Sequence, residues 1–221
     1  MIKAVLFDFD ETLQDRTAAF EKYMDTFFDT FLPDIKGEER ERRKEEMRVT
    51  GNGGYVDREK WYAELVKSWK WKNAPDAAVL AEHYDTTFGD HNVIFPESVK
   101  LLKELKKRGY IVGVVTNGPS YLQNHKMDTS GLRPYCDIVV VSGDVGVHKP
   151  DPELFRYTAD KLGLNTQECV YVGDHPVNDI QGALSAGMKA IRMNCGWFKD
   201  RDLRNDVPVI ENIIDVLKYI D

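Results

Sequence analysis

Ile2-Lys3-Ala4-Val5-Leu6-Phe7-Asp8-Phe9-Asp10-Glu11-Thr12-Leu13 is a short apolar run, rich in β-formers, that ends abruptly in two aspartates one residue apart. An apolar run of this length bounded by charge reads as a strand buried on both faces, the pattern of a parallel sheet. Ligands of open α/β sheets bind just outside the carboxyl ends of the strands, so Asp8 and Asp10 are expected at the mouth of a sheet. Strand geometry would point them the same way, with Phe9 facing opposite. Two like charges that close cost free energy unless a cation or a shared proton offsets them. The alternative at this point is that one aspartate caps a following helix and the other is solvated.

The second half of the chain repeats that local pattern. A helix carrying Val99, Leu101, Leu102 and Leu105 ends at Arg108-Gly109, a stop signal. Strands are then expected at Ile111 to Thr116, Ile138 to Ser142, Cys169 to Val172 and Ala190 to Met193. Helices are expected between them near Ser120–Thr129, Pro152–Leu162 and Val177–Ala186, with a last one near Glu211–Ile220. The βαβ rhythm implies an α/β fold with a doubly wound parallel sheet.

Between the first strand and this array the texture is different. Phe20, Tyr23, Met24, Phe27, Phe28 and Phe31 form a helical stripe. Lys36 to Arg48 is a charged run whose mixed signs predict a solvated helix face, with Glu38–Arg42 and Glu39–Arg43 at i, i+4 spacing. A glycine-rich turn, Thr50-Gly51-Asn52-Gly53-Gly54-Tyr55, matches no phosphate-loop signature. Asp57 is placed to cap a helix carrying Trp61, Leu65 and Trp69, and Val79, Leu80, His83, Tyr84 and Phe88 mark another, with His83 read as a packed residue. The expected organisation is a core domain from residues 1–16 and 91–221 with an inserted all-helical domain at 17–90.

The bulk numbers exclude several classes. With 221 residues, 42% hydrophobic and 30% charged, the chain has the composition of an ordinary globule. It holds no apolar stretch of membrane-spanning length and no signal-peptide pattern. Cys136, Cys169 and Cys195 are too scattered for a metal knuckle and read as reduced thiols, so a cytoplasmic protein is expected. A net charge of −7 argues against nucleic-acid polymers as partners.

The expected strand ends collect a coherent set of groups. Asp8 and Asp10 follow the first. Thr116-Asn117-Gly118-Pro119 follows the second and offers a hydroxyl and free backbone N–H groups at a helix start, a natural anion site. Lys149 precedes Pro150-Asp151-Pro152, where Asp151 caps the next helix. Gly173-Asp174-His175-Pro176-Val177-Asn178-Asp179 follows the fourth. Mg²⁺ prefers a few carboxylates together with water and phosphate oxygens, and Asp8, Asp174 and Asp179 could supply the carboxylates. Thr116, the Asn117 backbone and Lys149 could hold phosphate oxygens. One aspartate could attack phosphorus while the other moves the proton.

Asp8-Phe9-Asp10-Glu11-Thr12-Leu13, Thr116-Asn117-Gly118, Lys149-Pro150 and Gly173-Asp174 through Asn178-Asp179 resemble the four motifs of the haloacid dehalogenase-like hydrolases, in order and over nearly the whole chain. The inserted helices resemble the cap of that family. The resemblance implies Asp8 as nucleophile and Asp10 as general acid/base. It implies Mg²⁺ on Asp8, the Asp10 carbonyl and Asp174, with Asp179 in support, and a phosphoryl group held by Thr116, Asn117 and Lys149. Glu11 replaces the usual glycine, and His175 the usual serine or threonine.

Asp10 separates the phosphatases from the founding dehalogenases, whose halide leaving group needs no proton. The resemblance therefore implies a Mg²⁺-dependent phosphatase of small soluble phosphate monoesters, with a nucleoside 5'-monophosphate as one substrate class. Phosphoglycolate, sugar phosphates, a phosphomutase and a non-catalytic phosphate-binding protein are the alternatives. The lysines Lys60, Lys67, Lys70 and Lys72 read as surface residues rather than the Schiff-base lysine of a phosphonate hydrolase. Arg48, Asn52, Tyr55 and Arg58, around the glycine-rich turn, are the candidate substrate contacts of the helical domain.

Overall fold

A computed structural model of the chain describes residues 1–201 and 206–220. The chain divides into two compact units, Met1–Arg16 with Asn92–Asp221, and Thr17–His91. Strand β1 (Ala4–Phe7) is buried at every position and opens the first unit.

The second unit follows at once, with helices α1 (Arg16–Phe31), α2 (Gly37–Thr50), α3 (Arg58–Ser68) and α4 (Ala77–Thr87). The apolar stripe of α1 buries Tyr23, Met24, Phe27 and Phe28, and meets Trp61, Tyr62 and Leu65 of α3 and Leu80 and Tyr84 of α4 in one aromatic-rich core. Asp57 caps α3 as its sequence predicts, accepting from the Lys60 N–H at 3.1 Å. His83 packs edge-on to Phe31 at 4.8 Å and lies within hydrogen-bond reach of the Tyr23 hydroxyl. Helix α2 departs from the solvated reading. Lys44 and Met47 are buried, and Arg40, Lys44 and Arg48 form ion pairs with Asp25, Asp29 and Glu21 of α1. Its charge is thus a docking face, and Arg42 pairs with Glu39 rather than Glu38 because i, i+3 neighbours also face each other.

The first unit resumes with α5 (Ser98–Lys107), β2 (Ile111–Thr116), α6 (Ser120–Thr129), β3 (Ile138–Val141), the short α7 (Ser142–Val145), α8 (Pro152–Lys161), β4 (Cys169–Gly173), a π-helical turn (Pro176–Gln181) running into α9 (Gly182–Ser185), β5 (Lys189–Met193) and β6 (Val209–Ile210). All pairings are parallel and the sheet order is β3-β2-β1-β4-β5-β6. The expected doubly wound sheet is present, with β6 added where no strand was expected. A run of two residues is too short to leave a periodic signal. The expected terminal helix is a 3₁₀ segment, Ile213–Lys218, behind an Asn212 cap.

Alternation along the strands builds two cores. Val5, Phe7, Val112, Val114, Val170, Val172 and Ile191 pack with Leu101, Leu102 and Leu105 of α5 on one face. Ala4, Leu6, Val115, Cys169, Tyr171 and Ala190 pack with Leu154, Phe155 and Ala159 of α8 and Ile180 and Ala183 on the other. The chain reverses its winding between β1 and β4, which are neighbours joined from Ala4↔Cys169 to Phe7↔Val172. That reversal opens a crevice beyond their carboxyl ends. No helix among the described residues is long and apolar enough to cross a membrane.

Candidate active site

Asp8 and Asp174 each follow the last residue of a strand, β1 and β4, and so face each other across that crevice. Asp179 joins them from the π-helical turn, and one carboxylate oxygen from each of the three lies within 4.8 Å of the other two. The close approach depends on Gly173. A Cβ there would stand 2.4 Å from the Asp179 carboxyl carbon, so any side chain at 173 would expel the carboxylate.

Lys149 enters the cluster from the third strand end with its side chain almost wholly buried. Its ammonium donates to Asp8 Oδ1 at 2.7 Å, Asp179 Oδ1 at 2.7 Å and the Tyr171 hydroxyl at 2.9 Å, which uses all three N–H groups. Tyr171 in turn donates to the Val115 carbonyl at 2.7 Å. The second Asp179 oxygen accepts from the His175 N–H at 2.8 Å. Asn117 fixes the backbone of Lys149: its amide donates to the Lys149 carbonyl and accepts from the Lys149 N–H, each at 2.8 Å. Its side chain is therefore a clamp on Lys149.

Asp10 does not share this environment. The strand ends at Phe7, and the chain turns so that the N–H groups of Leu13 and Gln14 both meet the Phe9 carbonyl, at 3.0 and 3.1 Å. Strand alternation therefore does not carry through Asp10, and the two aspartates are held by different lysines. Lys126 of α6 donates to Asp10 Oδ1 at 2.6 Å and to Oδ2 at 2.5 Å, and Gln14 donates to Oδ1 at 2.5 Å. Gln123, one turn before Lys126, accepts from it at 2.7 Å and donates to Thr116 Oγ1 at 2.5 Å and to the Asn117 carbonyl at 3.1 Å. Because Thr116 Oγ1 accepts from Gln123, its own hydrogen is directed elsewhere, free to meet an anion.

The two environments drive the two carboxyls apart. Burial, reinforced by the charges of Asp179 and Asp10, pushes the Asp8 carboxyl up to about 7 against the pull of Lys149. Burial also carries the Asp174 carboxyl well above its ordinary range, and the Asp179, Asp8 and Glu11 carboxylates add to the rise. Burial acts the same way on Asp10, but the charges of Lys126 and Arg16, with hydrogen bonds from Lys126 and Gln14, outweigh it and hold the carboxyl below the usual value. Lys149 keeps its proton despite burial because Asp179 and Asp8 flank it. Three buried carboxyls share one ammonium, Lys149 touches Asp8 and Asp179 but not Asp174, and the raised Asp8 and Asp174 carboxyls hold protons that a cation would displace. An all-oxygen donor set of this kind suits a hard divalent cation such as Mg²⁺.

The structure thus brings Asp8, Thr116, Asn117, Lys149, Asp174 and Asp179 to the strand ends of the sheet unit, with Asp10 beside them. Asn52, Tyr55 and Arg58 lie in the helical unit. Asn52 takes a left-handed backbone conformation with φ 46°, Tyr55 is exposed, and Arg58 pairs with Asp85 at 2.9 Å while covering the Tyr84 ring. Arg48 is engaged by Glu21 and Glu45.

The two departures in the motifs have structural explanations. Glu11 adopts φ 55°, a conformation glycine reaches freely, and its side chain lies against Gly196, where a Cβ would stand 2.5 Å from it. His175 Nδ1 accepts the N–H groups of Val177 and Asn178, each at 3.1 Å, which is the capping role a serine or threonine hydroxyl would fill. Sequence reasoning missed Gln14, Gln123, Lys126 and Tyr171. For α6 the signal existed: Leu122, Gln123, Lys126 and Met127 form the buried face of the helix. A glutamine and a lysine on a core-facing stripe need partners.

Residues 2–187 match the model of the haloacid dehalogenase-like hydrolases. The glyceraldehyde 3-phosphate phosphatase of Methanopyrus kandleri is 32% identical over 223 residues, covering 97% of this chain and 94% of that protein. The phosphoserine phosphatase of Thermus thermophilus is 38% identical over 115 residues, covering 52% of this chain and 44% of that protein. Among solved structures, the HAD-hydrolase YfnB of Bacillus subtilis, bound to magnesium, superposes with a TM-score of 0.82 at 22% identity, covering 100% of this chain and 99% of that one. At that identity the likeness speaks for the fold.

Proposed function

The chain belongs to the haloacid dehalogenase-like hydrolases and to their phosphatase branch, and from that premise we propose that it is a Mg²⁺-dependent phosphatase of small phosphate monoesters that works through an aspartyl-phosphate on Asp8. The observation that carries the reading is the pairing of two carboxylates at one strand end with two separate buried lysines, Asp8 with Lys149 and Asp10 with Lys126. One carboxylate is placed among cationic and metal-binding groups for attack on phosphorus. The other stands apart to handle protons.

In the first half-reaction an Asp8 oxygen bonds to phosphorus, the ester P–O bond breaks, and the leaving oxygen takes a proton from Asp10, whose carboxyl has to be protonated in the substrate complex for this step. In the second, water bonds to phosphorus and gives a proton to Asp10, and the Asp8–phosphorus bond breaks to release inorganic phosphate. Over a full turnover the proton given by Asp10 is replaced by the one it takes from water. Lys149 orients Asp8, and the Thr116 hydroxyl and the backbone N–H groups after β2 hold the non-reacting phosphoryl oxygens. Asp8, Asp174 and the Asp10 carbonyl, with Asp179 behind them, would hold Mg²⁺, which supplies positive charge for the phosphoryl oxygens.

Relatives named for glyceraldehyde 3-phosphate and phosphoserine support a compact substrate with an alcohol leaving group. The test is a panel of phosphate esters assayed with Mg²⁺ and with a chelator. Glyceraldehyde 3-phosphate comes first, followed by phosphoserine, nucleoside 5'-monophosphates, sugar phosphates and phosphoglycolate, with product analysis for mutase activity. Mg²⁺-dependent phosphate release from at least one member, lost in Asp8→Asn, is expected. Tight binding with no release from any ester would replace the enzyme with a phosphate-ligand sensor.

A further inference from the structure

We propose that Lys126 is the positioning residue for Asp10, and that Gln123 ties it to Thr116. One buried chain of side chains would then set both the group that moves the proton and the group that holds the phosphoryl oxygen. The inference rests on the reading of Asp10 as the proton-transferring carboxylate and goes beyond it by naming what aims that carboxylate.

The links run Asp10–Lys126–Gln123–Thr116, at 2.5 to 2.6, 2.7 and 2.5 Å. Lys126, Gln123 and Thr116 are exposed by no more than 2%, so water does not compete for these bonds. The Lys126 ammonium donates to both Asp10 oxygens and to Gln123 Oε1. Those bonds tie the ammonium to Asp10 and to Gln123, so Lys126 acts through Asp10.

The Gln123 amide cannot flip: Lys126 requires an acceptor from it and the Asn117 carbonyl requires a donor. The ammonium also sits 5.3 Å over the Phe9 ring, and Asn92 pins the helix by donating to the Lys126 carbonyl and to Thr129, each at 2.8 Å. On Asp10, Oδ1 is shared by Lys126 and Gln14 while Oδ2 receives Lys126. The geometry points to Oδ2 as the oxygen that exchanges the proton.

A residue that only supports the fold would slow every substrate alike. A residue that aims the general acid matters in proportion to how badly the leaving oxygen needs a proton. The experiment compares kcat/KM for an alkyl phosphate and for p-nitrophenyl phosphate, whose leaving group departs without protonation. Asp10→Asn should lose about a hundredfold or more on the alkyl ester and far less on the aryl ester, in line with the weight of general acid catalysis. Lys126→Met should show the same selectivity, with the alkyl ester losing at least about tenfold more, as displacement of a reacting group predicts.

Equal losses on both esters in Lys126→Met, with the selectivity intact in Asp10→Asn, would overturn the positioning role alone. No selectivity in Asp10→Asn would overturn the reading of Asp10 and this inference with it. If Lys126→Met does not fold, Gln123→Met decides by the same ratio, since it leaves the Asp10–Lys126 ion pair in place and removes the bonds of Gln123 to Lys126, Thr116 and the Asn117 carbonyl. A selective loss of about threefold or more on the alkyl ester supports the chain, and an equal loss refutes it.

Discussion

Asp8→Asn in the metal-free protein tests the electrostatics of the site without any substrate. Asp8 is buried, and its carboxyl is pushed from 3.8 in the unfolded chain to about 7 in the fold, by burial first and then by Asp179 and Asp10. Below pH 3.8 the folded and unfolded chains both hold this proton. Between 3.8 and about 7 only the folded chain holds it, so protons stabilise the fold there, and that stabilisation is lost as pH rises through 7. The full shift corresponds to about 4 kcal/mol, of which about 3 kcal/mol falls between pH 5 and pH 8. Asparagine has no charge to bury and carries no such dependence. The stability difference between the variant and the natural chain should therefore move by about 3 kcal/mol in favour of the variant from pH 5 to pH 8.

Urea unfolding at pH 5, 6.5 and 8 with a chelator measures it, and taking the difference cancels the titration of the groups that Asp8 does not influence, leaving Asp8 together with its neighbours Asp174 and Lys149. A difference that moves by less than about 1 kcal/mol over that range would refute the argument that Asp8 is a desolvated carboxyl whose charge Lys149 does not fully offset. The same reasoning requires Mg²⁺ binding near pH 7 to release protons, measurable by calorimetry in buffers of different ionisation enthalpy.

Two further substitutions probe the supports of the site. Lys149→Met leaves Asp8 and Asp179 without their shared cation in a buried place, so it should cost about 3–5 kcal/mol of stability by urea unfolding and abolish phosphate release. His175→Ala removes the acceptor for two backbone N–H groups and should cost about 1 kcal/mol, whereas His175→Ser, which restores a capping oxygen, should recover most of it. Equal melting temperatures for the two variants would remove the capping role.

How much of this was legible beforehand depended on the range of the signal. Asp151 and Asp57 were readable as helix caps because a cap and the N–H groups it serves are neighbours in sequence. Asp8, Thr116 and Asp174 were readable as a group because each closes or follows a short apolar run, and the carboxyl ends of parallel strands lie on one edge of a sheet whatever their order; Lys149 was placed with them by its position just ahead of the Asp151 cap. The divergence of Asp8 and Asp10 was not readable. Alternation holds only while the strand lasts, and hydrogen bonds to the Phe9 carbonyl end it before Asp10.

The sequence by itself determined the parallel α/β sheet, which follows from local periodicity, and it carries the helical stripes between residues 17 and 90 and the aspartates, threonine and lysine near the strand ends as residues adjacent in the chain. Only the tertiary structure decided the partners. Lys126 meets Asp10 across 116 residues of sequence and Lys149 meets Asp8 across 141. The choice is made by the strand order, which sets β2, whose following helix α6 carries Lys126, next to β1, and β3, whose connection to α8 carries Lys149, one strand further out on the same side. A buried charge must find a partner within a few ångströms, but which partner that is depends on the order of the strands, and no local pattern records that order.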